Sequence, residues 1–189
     1  MNRIVVMTVG KTHSGKTTFA KQLESQLKNT IIIDQDNHAS FINAHYKSLR
    51  PKGGPNTLKY AVTQTIVDFA VNQTHCNLVL CNSNLARNGR MDALDYFHRN
   101  GIISILVYFE IPEVVLKERI TESQRSKDIF RSASTFEEVL ARQQESDSSA
   151  PKIGEADHFF IVNRNEEDVP LVIKQIAEIS NRSYANGTR

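Results

Sequence analysis

Ile4 to Val9 is an apolar run interrupted only by Thr8 and ended by Gly10, the pattern of a strand buried on both faces of a parallel sheet. Ile31 to Ile33, Leu78 to Cys81, Ile102 to Phe109 and Phe159 to Val162 read as four further strands, each separated from the last by a helical segment. Such alternation requires right-handed crossovers and predicts an α/β fold around a parallel sheet.

The helices are legible from their spacing. Phe19, Ala20, Leu23 and Leu27 share one face directly after the first strand. The clearest crossover helix starts near Thr57, where Leu58, Ala61, Val62, Thr65, Ile66, Phe69 and Ala70 form a stripe expected to cover the sheet. Met91, Leu94 and Phe97 mark a helix stopped at Asn100-Gly101, and Pro112 suits the first turn of the next, which carries Val115, Leu116 and Ile120. Thr135 with Glu138 forms a capping-box pattern ahead of Val139 and Leu140. Asn165 is expected to cap a last helix through Val169, Val172, Ile176 and Ile179, leaving residues 1–180 as one domain and 181–189 as a flexible tail. Two stretches lack an apolar periodicity, His45 to Asn56 and Glu122 to Ser134, and are expected to be mobile loops that close over substrate, the second as a lid.

At 189 residues the chain is long enough for one sizeable core. Its net charge of +2 is spread along the sequence, so composition alone points neither to nucleic acid nor to a membrane surface. Cys76 and Cys81, far from other soft ligands, read as reduced, buried thiols. Met1-Asn2-Arg3 leads into an apolar run too short for a signal h-region, no other run approaches a membrane span, and a cytoplasmic location is expected.

Gly10-Lys11-Thr12-His13-Ser14-Gly15-Lys16-Thr17 matches G-x-x-x-x-G-K-[ST] between a buried strand and an amphipathic helix, where a phosphate-binding loop must lie. Glycines let the backbone wrap an anion with its N–H groups, and the helix start adds the positive end of its dipole. Gly10, Thr12, His13, Ser14, Gly15, Lys16, Thr17 and Thr18 are therefore the expected nucleotide contacts, with Lys16 on the β- and γ-phosphates and the Thr17 hydroxyl on Mg²⁺. His13 stands where small kinases usually have glycine, and no catalytic role is assigned to it.

Asp34-Gln35-Asp36 closes the second strand at the edge where open α/β sheets gather ligands. Asp36 is the candidate base for an acceptor hydroxyl, with Asp34 in support, while one of the two is expected to serve as an N-cap for a helix over Asn37 to Ala44. Asn82-Ser83-Asn84 ends the third strand, where Ser83 and the amides could orient substrate or metal-bound water, or simply form a turn. Arg119, Arg125, Lys127 and Arg131 are spaced to reach a bound triphosphate; Arg125 and Arg131 are the lid candidates, and Arg119 could instead pair with Glu113 or Glu122. Asn163-Arg164 follows the last strand, where an arginine plane can border adenine, or form a turn before the next helix. The other histidines show no metal-ligand spacing.

With these residues the chain resembles the AAA_33-type ATP-binding domains, the P-loop kinase group that includes the kinase domain of bacteriophage 5′-polynucleotide kinase, over nearly all of Arg3 to Ser180. The resemblance implies a three-layer P-loop NTPase fold, a five-stranded parallel sheet of order 2-3-1-4-5, ATP as donor, Asp36 as general base and Arg125 and Arg131 in the lid. Asn82-Ser83-Asn84-Leu85 looks like that group's Asp-Thr-Asn-Leu motif. Two departures, Ala39 where the polynucleotide kinase has arginine and Asn82 for its aspartate, set the chain apart from enzymes of nucleic-acid 5′-hydroxyls. The expected activity is transfer of the ATP γ-phosphoryl to a hydroxyl of a small metabolite or nucleotide held by Asp34, Asp36, Ser83 and Asn84. The rivals are a polynucleotide 5′-hydroxyl kinase and a regulatory nucleotide-binding NTPase.

Overall fold

The apolar positions of the first strand fall on both sides of its pleat, so it needs cover on both faces and two strand neighbours. The computed structural model, which describes residues 3–54, 56–130, 133, 135–145 and 150–186 (182–186 by backbone alone), places it there. The strands are β1 (Ile4–Val9), β2 (Thr30–Ile33), β3 (Asn77–Leu80), β4 (Ile103–Phe109) and β5 (His158–Val162), all parallel, in the order β2-β3-β1-β4-β5. Val6 is in register with Val79 on one side and Ile105 on the other. Each strand begins and ends within one residue of its sequence-based bounds.

Alternate residues of β1 feed two separate cores. Ile4 and Val6 pack with Phe19, Ala20 and Leu23 of α1 (Lys16–Gln26) and with Val172, Ile173 and Ile176 of α7 (Asn165–Asn186). Val5, Met7 and Val9 face Val67, Ala70 and Val71 of α3 (Thr57–Gln73) and Leu94 and Phe97 of α4 (Arg87–Arg99). The three-layer architecture is the consequence. Thr8, fully buried between them, points its hydroxyl at the carbonyls of Leu80 and Asn82.

A third, smaller core forms past the end of β4, where Ile111 packs against it. Leu116 and Ile120 of α5 (Glu113–Thr121) meet Phe136 and Leu140 of α6 (Phe136–Glu145), with Thr135 Oγ1 accepting from Glu138 N as the capping box requires. After β2, α2 (Gln35–His45) leans on α3 through His38 and Thr63, 2.8 Å apart, and a single 3₁₀ turn at Lys47–Leu49 follows.

Three expectations change. α3 buries Thr63, Val67, Ala70 and Val71, while Ile66 and Phe69 of the expected stripe are exposed, because the helix carries two apolar faces and the slimmer one fits the sheet. The last helix runs on to Asn186, past the expected start of the tail. Cys81 is buried, but Cys76 is only half-buried; both thiols are free.

Candidate active site

The phosphate-binding loop spans the gap between β1 and α1, and its backbone is held open by contacts from three distant helices. Gly10 N donates to Ser83 O at 3.0 Å, tying the loop to the end of β3. Thr12 N donates to Gln143 Oε1 of α6 at 2.7 Å. Asn165, first residue of α7, donates from Nδ2 to Ser14 O at 2.9 Å, and its Oδ1 accepts from Arg119 Nη1 at 3.1 Å. Arg119 also reaches His13 O at 3.3 Å, so it serves the loop instead of pairing with Glu113 or Glu122. Asn165 likewise is a brace for the loop and not the helix cap expected of it. The turn before α7 is held by Asp168, whose Oδ2 accepts from Asn163 N and Arg164 N, both at 2.8 Å.

Gly15 is required twice over. Its φ is +98°, and a Cβ there would lie 2.1 Å from Asn165 Nδ2. His13 takes a φ of +60°, which accounts for the glycine usual at that place. Its Nδ1 contacts Thr12 Oγ1 at 3.0 Å, and its ring meets Phe136 edge-on at 4.6 Å. Burial first, then the charges of Arg125 and Lys16, hold its pKa below the usual imidazole value.

Lys16 starts α1 and folds back across the loop, its Nζ donating to Lys11 O at 2.5 Å and Ser14 Oγ at 3.1 Å. Burial lowers its pKa to about 8. Asp34, Asp36 and Arg125 all lie within electrostatic reach of that ammonium. Asp34 caps α2 by accepting from Asp36 N at 2.9 Å, and burial raises its carboxyl above the usual range. Asp36, two residues on in the first turn of α2, has its Oδ2 on Arg125 Nη2 at 2.6 Å. Thr17 Oγ1 is 3.7 Å from Cys81 Sγ, whose thiol is pushed up to about 11 by burial and so stays protonated.

The loop, Lys16, Thr17, Asp34, Asp36 and Arg125 thus converge, and Thr18 lies exposed beside them on α1. Arg131 lies outside the described residues. Asn82, Ser83 and Asn84 are tied into the fold: Asn82 Oδ1 accepts from Gln35 N at 2.9 Å, and Asn84 Nδ2 donates to Thr8 O at 2.8 Å. Arg164 is exposed and paired with Glu167 at 3.2 Å. Behind the β3 end, buried Arg90 holds Glu155 at 2.7 Å and the carbonyls of Asn84 and Leu85 at 2.9 and 3.1 Å. Neither Arg90 nor Glu155 has a sequence signal.

The sequence pattern of the AAA_33 family, described as an AAA domain, matches residues 5–146. The chain belongs to that family. No curated protein matches this AAA_33 domain. Among solved structures, Kti12 of Chaetomium thermophilum in complex with ADP-AlF3 is 16% identical, with a TM-score of 0.66, covering 93% of this chain and 98% of that one. The APS kinase of Mycobacterium tuberculosis in complex with AMPPNP and APS is 15% identical, with a TM-score of 0.58 and coverage of 94% and 96%. Shikimate kinase of Bacteroides thetaiotaomicron is 13% identical, TM-score 0.58, with coverage of 93% and 97%. The AAA_33 domain therefore shares the P-loop kinase fold. No described helix is long and apolar enough to cross a membrane.

Proposed function

We propose that the domain binds ATP with Mg²⁺ in the loop from Gly10 to Thr17 and transfers the γ-phosphoryl group to a hydroxyl of a small metabolite or nucleotide. The observation that carries this reading is the convergence of Lys16, Asp36 and Arg125 at one mouth, with a carboxylate and a guanidinium 2.6 Å apart beside the phosphate loop.

The donor groups suit a triphosphate: a glycine-lined backbone cradle, an ammonium laid across it and the first turn of α1 behind it. Among the described residues no group of three His, Cys, Asp or Glu side chains could hold a metal alone. The Thr17 hydroxyl would thus share Mg²⁺ with the phosphates, where the cation neutralises their charge. Lys16 would bind the β- and γ-phosphates, and Arg125 would stabilise charge on the transferring group. Arg125 engages Oδ2 of Asp36 and leaves Oδ1 to take the proton from the acceptor hydroxyl. The acceptor's own oxygen would then bond to the γ-phosphorus as the bond from phosphorus to the β,γ-bridging oxygen breaks and ADP leaves.

The test is incubation of purified protein with γ-labelled ATP, Mg²⁺ and a panel of nucleosides, sugars and 5′-hydroxyl oligonucleotides. Label in a small organic product supports the proposal. Label only in oligonucleotide favours the polynucleotide rival, and label only in inorganic phosphate favours a regulatory NTPase.

A further inference from the structure

Segment 122–130 crosses from α5 toward α6 without strand or helix pairing of its own, yet it is fastened from two sides, by α6 and by α2. From the α6 side, Phe136, the first residue of that helix, gathers three groups: the Phe130 ring at 4.7 Å, the His13 ring at 4.6 Å and the Arg125 guanidinium at 5.4 Å. From the α2 side, Asn43 donates from Nδ2 to Asp128 O at 2.5 Å and, more weakly, to Phe130 O at 3.4 Å. Asn43 is 8% exposed and lies seven residues past Asp36, two turns along the same helix face. The backbone it grips leads back to Arg125, the partner of Asp36.

Among the described residues, two buried side-chain atoms have no hydrogen-bond partner: Asn43 Oδ1 and His13 Nε2. Asn43 holds the segment directly, and His13 packs on Phe136, against which Phe130 and Arg125 of the segment also lie. A buried acceptor without a donor weakens the state that buries it, and water satisfies it once the segment lifts.

We propose that Asn43 is a positioning residue, which clasps segment 122–130 to α2 through its amide donors and so sets Arg125 over Asp36, while its unpartnered carbonyl oxygen keeps the clasp releasable. The consequence for turnover rests on the phosphotransfer reading above; the clasp itself does not.

Two variants of the full chain test it. Asn43→Ala removes the amide, and Asn43→Asp keeps its shape but cannot donate when ionised. Hydrogen exchange of the 123–130 amides should accelerate about tenfold in both, with α1 unchanged, as losing one such bond implies. With ATP and Mg²⁺, kcat should fall as far as in Arg125→Ala, the ATP Kd should stay within about twofold, and Asn43→Ala/Arg125→Ala should lose no more than either alone. Exchange unchanged in both variants overturns the clasp. Faster exchange with undiminished turnover, or additive losses in the double variant, overturns the positioning role. If the wild-type protein turns over no ATP, the phosphotransfer reading and the turnover consequence fail together, and the exchange rates alone decide the clasp.

Discussion

Arg125 Nη2 lies 2.6 Å from Asp36 Oδ2, although 89 positions separate the two residues in the chain. One comes from the segment before α6 and the other from the first turn of α2, so the pair spans the mouth above the phosphate loop. Neither residue is fully buried, and the pair is correspondingly weak as a stabilising contact. Its interest is positional: it sets a cation and a base at one point.

Asp36→Asn should therefore lower kcat by about 10²- to 10⁴-fold, the usual contribution of a general base, and barely alter ATP affinity. Steady-state kinetics beside nucleotide titration check this. Undiminished turnover would remove Asp36 from the chemistry.

Lys16→Ala should abolish detectable ATP binding. In the wild-type protein the same group gives a pH signature. Burial brings the Lys16 pKa down to about 8, so the ammonium loses its proton as pH rises through that value. A triphosphate binds the charged form, so ATP affinity should fall above pH 8, by up to about tenfold per unit before other groups intervene. Calorimetric titration from pH 7 to 9.5 would show it, and a flat profile would count against contact between Lys16 and phosphate.

Gly15→Ala combines a left-handed backbone with a collision against Asn165. The backbone term alone is about 1–3 kcal/mol. Gly15→Ala should weaken both folding and nucleotide binding, and adding Asn165→Ala should restore only the part due to the collision. Urea denaturation and ATP titration of both variants separate the two contributions.

Arg90→Ala leaves Glu155 buried without its main partner and should cost about 3–5 kcal/mol. Burial pushes the Glu155 carboxyl upward, but Arg90 and Arg87 outweigh it and hold the pKa below the ordinary value of 4.5. A depressed folded-state pKa gives stability that is present above pH 4.5 and lost as pH falls through the lower, folded value. The wild-type protein should lose that stability on acidification, and Arg90→Ala should lose much less. Denaturation at pH 7 and pH 4 measures both.

The sheet was legible because each strand is short, apolar and bounded by polar residues, and the eight-residue motif announced its own neighbourhood. The order of strands came from resemblance, since periodicity says nothing of which strand lies next to which. α3 was misjudged because hydrophobic spacing counts apolar positions without weighing their bulk; Ile66 and Phe69 fit the pattern, but Thr63, Val67 and Val71 fit the space beside Ala70. Gln143 and Asn43 carried no local signal, while Arg119 and Asn165 were read as a phosphate-reaching cation and a helix cap, not as braces of the phosphate loop. Each is an ordinary polar residue until the chain brings it to a loop more than 80 positions away.

The brace from Asn165 to Ser14 also bears on the order in which the protein can mature. In a growing polypeptide the Gly10 to Thr17 motif precedes the side chain that steadies its far end by some 150 residues. Nucleotide capture should thus switch on late, when α7 docks, and a ribosome-held chain stopped short of Asn165 should carry the motif without a finished cradle.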